Sequence, residues 1–167
     1  MLTADQICRY APPSNHLEGK IILVSGAGEG IGRAVALACA EHGATTILAG
    51  RTIDNLERTY DAILERSTNI PAICPIDLEI AGPEEYAKIN LLIESQFGRL
   101  DGLVNNAAIL GSRTPMNHYK PRTWESVLKI NLTAQYMLTQ ALIPSLESSL
   151  NRASVIFTTS GVGRRGR

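Results

Sequence analysis

The chain has 167 residues, the size of one domain, with 16 basic and 16 acidic side chains and no net charge. That balance speaks against a basic nucleic-acid surface or a polybasic membrane binder, and leaves only a local basic end at Arg164, Arg165 and Arg167. Apolar residues at 44% and charged residues at 19% make a globular mixture, and the longest apolar run, Ala34 to Ala40, is far too short to cross a bilayer.

Residues 1–19 read as a leader. They carry Asp5, Arg9, Pro12 and Pro13 and no apolar stretch, so they are expected to be neither a signal peptide nor a transit peptide, and the protein is expected in the cytoplasm. Cys8, Cys39 and Cys74 are odd in number and far apart, which fits reduced, partly buried thiols. His16, His42 and His118 have no ligand spacing, so no metal site is expected.

From Lys20 the chain alternates between two textures. Lys20–Ser25 is a short apolar run that ends in glycines and predicts a buried strand. Ile31–His42 predicts a helix with Ile31, Val35, Ala38 and Cys39 on its apolar face, stopped by Gly43. Thr45–Ala49 is a second strand. Ile53–Arg66 is an amphipathic helix with Ile53, Leu56, Tyr60, Ile63 and Leu64 on one face. Ala72–Ile76 is a third strand. Pro83–Phe97 is a helix opened by proline, with Tyr86, Ile89, Leu92 and Ile93 as its apolar face. Leu100–Val104 is a fourth strand, followed by a loop over 109–120. A long helix is predicted from Pro121 to about Leu146, kinked or ended by Pro144, and Ser154–Thr158 is a fifth strand. Apolar strands separated by helices predict an α/β fold, a doubly wound parallel sheet of Rossmann-like type with helices on both faces, over residues 20–167. Loops after the carboxyl ends of such strands face the ligand.

The first strand runs into Ser25, Gly26, Ala27, Gly28, Glu29, Gly30, Ile31 and Gly32. A phosphate needs close backbone approach and free N–H groups at a helix start, and glycines before a helix supply both. The spacing is G-x-x-x-G-x-G through Gly26, Gly30 and Gly32, not G-x-G-x-x-G. A plain glycine-rich turn is the other reading of the same residues.

That spacing resembles the short-chain dehydrogenase/reductase family, whose fingerprint is T-G-x-x-x-G-x-G, with Ser25 in the place of threonine. The resemblance continues through residues 20–167. Asp77 and Leu78 close the third strand where the family has an acid beside the adenine ring. Asn105, Asn106, Ala107 and Ala108 close the fourth where the family has N-N-A-G. Asn131 sits like the family's catalytic asparagine, and Ser160, in an S-x-x-G pattern through Gly163, like its catalytic serine. The resemblance implies a nicotinamide cofactor, hydride transfer with a small carbonyl or alcohol substrate, and a homo-oligomer for the complete protein. It implies cofactor contacts from the Ser25–Gly32 loop, Asp77, Leu78, Asn105 (near the ribose) and Ala107.

No acid occurs from Gly43 to Ile53, and Arg51 follows Gly50 at the end of the second strand. A ribose 2′-hydroxyl calls for a carboxylate there, whereas a 2′-phosphate calls for a guanidinium. NADP(H) is therefore expected over NAD(H). Asp77 is open to two readings, a helix N-cap or a residue beside the adenine. Asn131 is open to a cap or kink as well as a functional role. Trp124 is read as packing against the core or an interface. Leu128, Leu132, Tyr136 and Thr139 are read as an exposed stripe or as core.

In the family a tyrosine acid/base and a lysine follow the serine as Y-x-x-x-K, and the lysine lowers the phenol's pKa. None of Tyr10, Tyr60, Tyr86, Tyr119 and Tyr136 has a lysine four residues on. The 167 residues are therefore expected to be an incomplete domain lacking its C-terminal strands, inactive alone. A non-catalytic dinucleotide-binding module is the alternative.

Overall fold

The computed structural model describes residues 11–161. The expectations at Cys8, Tyr10, Gly163 and the terminal arginines lie outside the described residues.

Five strands form one parallel sheet: β1 Ile21–Ser25, β2 Thr45–Gly50, β3 Ala72–Pro75, β4 Gly102–Asn105 and β5 Ser154–Phe157. Their order is β3-β2-β1-β4-β5, all parallel. The chain winds outward from β1 to β3 and then crosses back to β4. That reversal opens a crevice at the carboxyl ends of β1 and β4, where such folds bind ligands.

The strand period of two sorts the core onto two faces. Ile21, Leu23, Ile47, Ala49 and Leu103 face one side, where helix α3 (Pro83–Phe97) packs through Tyr86, Ile89 and Ile93. Ile22, Val24, Leu48 and Val104 face the other, covered by α1 (Gly30–Glu41) and α2 (Ile53–Leu64). Each fully buried Leu, Ile or Val contributes about 1.5–3 kcal/mol.

Three helix faces differ from the periodic reading. On α1 the buried residues are Gly32, Ala36 and Ala40, while Ile31 is exposed. Small side chains let this helix lie close on the sheet, so hydrophobicity alone misplaces its inner stripe by one residue. On α2 and α3, Leu56, Ile63, Tyr86, Ile89 and Ile93 are buried, but Ile53, Leu64 and Leu92 are exposed.

The long helix runs unbroken from Pro121 to Ala141, with a π-helical turn in its middle, and is interrupted at Leu142. It runs as α4 (Pro121–Leu128), a π-helical turn (Lys129–Thr133), α5 (Ala134–Ala141) and a short α6 (Ile143–Glu147). The helix ends at Ala141, just before Pro144, as the proline predicts, and a new short helix starts at Ile143. Proline stands in the first turn of α6, where its missing N–H costs nothing. Ile130, Ala134, Leu138, Leu142 and Leu146 are its buried face. Leu128, Leu132 and Tyr136 are exposed, which settles the stripe as surface, and Trp124 is 56% exposed rather than packed in the core.

Asp101 pins the amino-terminal edge of the sheet. One carboxylate oxygen accepts the Ile21 N–H (2.9 Å) and Arg99 Nε (3.1 Å), and the other accepts Ser149 Oγ (2.6 Å). Burial pushes its pKa up, but the Ser149 hydroxyl, the Ile21 amide, Arg99 and Lys20 together hold it below the ordinary aspartate value.

Candidate cofactor-binding site

Ser25 ends β1 with its hydroxyl turned onto the end of β4. Its Oγ donates to the Val104 carbonyl (3.3 Å) and accepts the N–H groups of Asn106 (3.0 Å) and Ala107 (3.1 Å). Asn106 Nδ2 donates back to the Ser25 carbonyl at 3.2 Å. The glycine loop is therefore tied to the residues after β4. On its other side, buried Thr59 donates to the Ala27 carbonyl at 3.0 Å.

Two glycines are dictated by space. Gly26 has φ +69°, and a Cβ there would lie 3.0 Å from Ala107 Cα. A Cβ on Gly32 would collide with the Gly26 carbonyl oxygen and come within 2.6 Å of Asn106 Nδ2. The loop thus turns back on the first turn of α1, whose early N–H groups have no intrahelical acceptor. The N-cap, Glu29, makes no side-chain cap, and no acid lies in the first turn.

A cleft of about 340 Å³ opens at this point. Gly26, Gly28, Glu29 and Ile31 form one wall. Gly50, Arg51, Thr52 and Asn55, at the end of β2 and the start of α2, form the next. Asp77 and Leu78 follow β3, and Asn106, Ala107, Ile109 and Ile130 close the site. Arg51 is exposed, and among the described residues it enters no ion pair.

Asp77 does not cap a helix. Its carboxylate accepts the Glu79 N–H at 3.0 Å and its carbonyl the Ala81 N–H at 2.9 Å, so it organizes the turn after β3, and α3 is capped at Gly82 instead.

A polar stripe on the helix braces the segment after β4. Asn131 Oδ1 accepts the Ile109 N–H and its Nδ2 donates to the Ile109 carbonyl, both at 2.9 Å. Gln135 Nε2 donates to the Ala107 carbonyl (3.2 Å), and Thr139 Oγ1 accepts Asn105 Nδ2 (3.0 Å). Residues 131, 135 and 139 recur every four positions and meet 109, 107 and 105 in turn. Asn105 is fully buried and does not line the cleft. The Asn105 side chain is turned to Thr139, and its neighbour Asn106 lines the wall.

Ser25 and Gly32 are buried next to the cleft, and Gly30 is exposed on the same loop. Ser160 is exposed, three residues beyond β5. Thr52, Asn55, Thr59 and Gln135 escaped the sequence reading. Of these only Gln135 carried a signal, its four-residue spacing from Asn131 on an otherwise apolar face. Cys39 and Cys74 are unpaired, and burial pushes both thiols up, Cys74 to about 11. Such thiols stay protonated and unreactive near neutrality. Among the described residues no cluster of potential metal ligands occurs, and no helix is long and apolar enough to cross a membrane.

The pattern of the short chain dehydrogenase family matches residues 20–167. The chain is 40% identical to the oxidoreductase YciK of Escherichia coli, over 95% of this chain and 62% of that protein. A short chain dehydrogenase of Escherichia coli complexed with NADPH superposes with a TM-score of 0.90 at 40% identity, over 93% of this chain and 65% of that one. A short chain dehydrogenase of Shigella flexneri complexed with NADP gives 0.89 at 40% identity, over 93% and 64%. The chain therefore spans slightly less than two thirds of the length of these relatives.

Proposed function

The chain belongs to the short chain dehydrogenase family, and from that premise we propose that it works as an NADP(H)-dependent oxidoreductase, moving a hydride between the nicotinamide and the carbon of a small carbonyl or alcohol. The observation that carries the cofactor choice is Arg51, an exposed guanidinium on the cleft wall with no ion pair among the described residues and no acid between Gly43 and Ile53. A planar, permanently charged fork suits a 2′-phosphate, and Thr52 and Asn55 add polar groups beside it. Related structures that hold NADP and NADPH support the same reading.

The residues fit such a cofactor. Gly26, Gly28, Glu29, Gly30, Ile31 and Gly32 make a loop whose close turn leaves no room for a Cβ at Gly32, and the first turn of α1 offers N–H groups to a pyrophosphate. Asp77 and Leu78 would border the adenine. Ala107 would flank the ribose. Ser25 and the buried Asn105 would hold the wall in place from behind.

When bound, the nicotinamide supplies or accepts the hydride. Both ends of the Asn131 amide are engaged by Ile109, so its side chain braces the segment after β4, and by its resemblance to the family's asparagine Asn131 would hold a relay water. Ser160 would hydrogen-bond the substrate oxygen. The 167 residues contain no tyrosine with a lysine four positions on, so on this reading they bind the dinucleotide without turning it over by themselves. A cytoplasmic location and a homo-oligomer of the complete protein belong to the same proposal. The exposed stripe of Leu128, Leu132 and Tyr136 supports an association surface.

Deuteride transfer tests the reaction. The full-length protein, given NADPH deuterated at the transferring carbon and a panel of aldehydes and ketones, should place deuterium on a carbinol carbon. Binding of NADPH with no transfer to any carbonyl would leave a binding module and contradict the enzyme reading.

A further inference from the structure

The turn after β3 is fastened to the helix that carries Asn131, and the cofactor reading alone does not call for that link. Ser126 Oγ on α4 donates to Glu79 Oε1 at 2.7 Å. Lys129 Nζ, at the first residue of the π-helical turn, donates to the Ala81 carbonyl at 3.0 Å. Lys129 is half-buried and enters no ion pair among the described residues. Its ammonium is directed instead at a neutral backbone oxygen.

The turn is tied together internally. The Glu79 and Ala81 amides both bond to Asp77, so anchoring positions 79 and 81 also holds Asp77 and, with it, Leu78. On the helix side, Ser126 and Lys129 lie one turn apart, so the attachment has two points and resists rotation as well as separation. Asp77 and Leu78 line the cleft from one direction, and Ile130, the neighbour of Lys129, lines it from the other.

Resting on the dinucleotide reading of the cleft, we infer that Lys129, supported by Ser126, is a positioning residue: it sets the adenine side of the cleft against the segment that carries Ile130 and Asn131. Without it the turn keeps its internal bonds but loses its fixed distance from the helix. The adenine half of the cofactor then meets a site that must be ordered on binding. The nicotinamide half, which does not depend on the turn, is unaffected.

The test uses the full-length protein and three ligands: NADPH, adenosine 2′,5′-bisphosphate and reduced nicotinamide mononucleotide. Lys129→Met should weaken NADPH and the bisphosphate alike by about fivefold to tenfold, the scale of one charge-assisted hydrogen bond, and leave the mononucleotide unchanged. Lys129→Arg, which keeps a cationic donor, should return both affinities to within about twofold of the parent. Unchanged bisphosphate affinity in Lys129→Met, or an equal loss for all three ligands, would overturn the inference. Should Lys129→Met not fold, Ser126→Ala should show the same selectivity at about twofold to threefold, and no change there would overturn it too. A parent protein that binds no dinucleotide would overturn the proposed function and this inference with it.

Discussion

A methyl group at Gly32 would have nowhere to go, because the Gly26 carbonyl already occupies its position. Gly32→Ala must push the glycine loop off α1, and with it the contact between Gly26 and Ala107. We expect a loss of about 1–3 kcal/mol in stability, as for other overpacked sites, and NADPH affinity reduced by more than tenfold. Thermal melts and NADPH titration of the variant measure both; a parent-like affinity would show that the cradle does not hold the cofactor. Arg51 makes a different prediction because it is exposed. Arg51→Ala should leave the melting temperature within a degree or so, lower NADPH affinity by about tenfold or more, and change NADH affinity by less than about twofold. Equal losses for both cofactors would remove Arg51 from the 2′-phosphate.

Asp101 is where one side chain joins three elements: the start of β1 through Ile21, the approach to β4 through Arg99, and the segment before β5 through Ser149. Its folded pKa lies below its unfolded value, so its stabilisation is complete above the ordinary aspartate pKa of about 3.9 and fades as pH falls through the lower folded value. Asp101→Asn should cost about 2 kcal/mol at neutral pH and flatten the acid limb of the stability curve below about pH 4. Denaturant melts across that pH range decide it; parallel curves for parent and variant would show that Asp101 is not the group lost. At this same scale the strands were legible, because apolar runs ending in glycine or asparagine can hardly be anything else in an α/β alternation. The inner face of α1 was not, since Gly32, Ala36 and Ala40 carry little hydrophobic signal and are buried for their smallness. The π-helical turn was also illegible. Nothing local demands it, and the chain contacts around it, Asn131 on Ile109 and Lys129 on Ala81, exist only after the sheet is assembled. Glycines and asparagines at strand ends announced the site, whereas the bracing bond from Asn105 to Thr139 was not legible, because the same residue type can face a ligand or brace a helix.

Across the whole molecule, the sheet is least covered at its β5 edge, on both faces. Val155, Ile156 and Phe157 of β5 are all exposed, and Phe157 joins Leu132, Tyr136 and Ile143 along one apolar groove. A patch of that kind drives association when nothing covers it. The 167 residues studied by themselves should therefore show a light-scattering mass that rises with concentration, and Leu132→Glu with Tyr136→Lys should reduce the rise. A mass independent of concentration would show that the groove does not mediate contacts. The central claim lies in the cleft, where β1, β2 and β4 deliver a glycine cradle and an exposed guanidinium to one place. Paired titrations of the protein with NADPH and NADH test it most directly. Tighter binding of NADPH by about tenfold or more is the result the cleft predicts. Equal affinity for the two, or binding of neither, would contradict it.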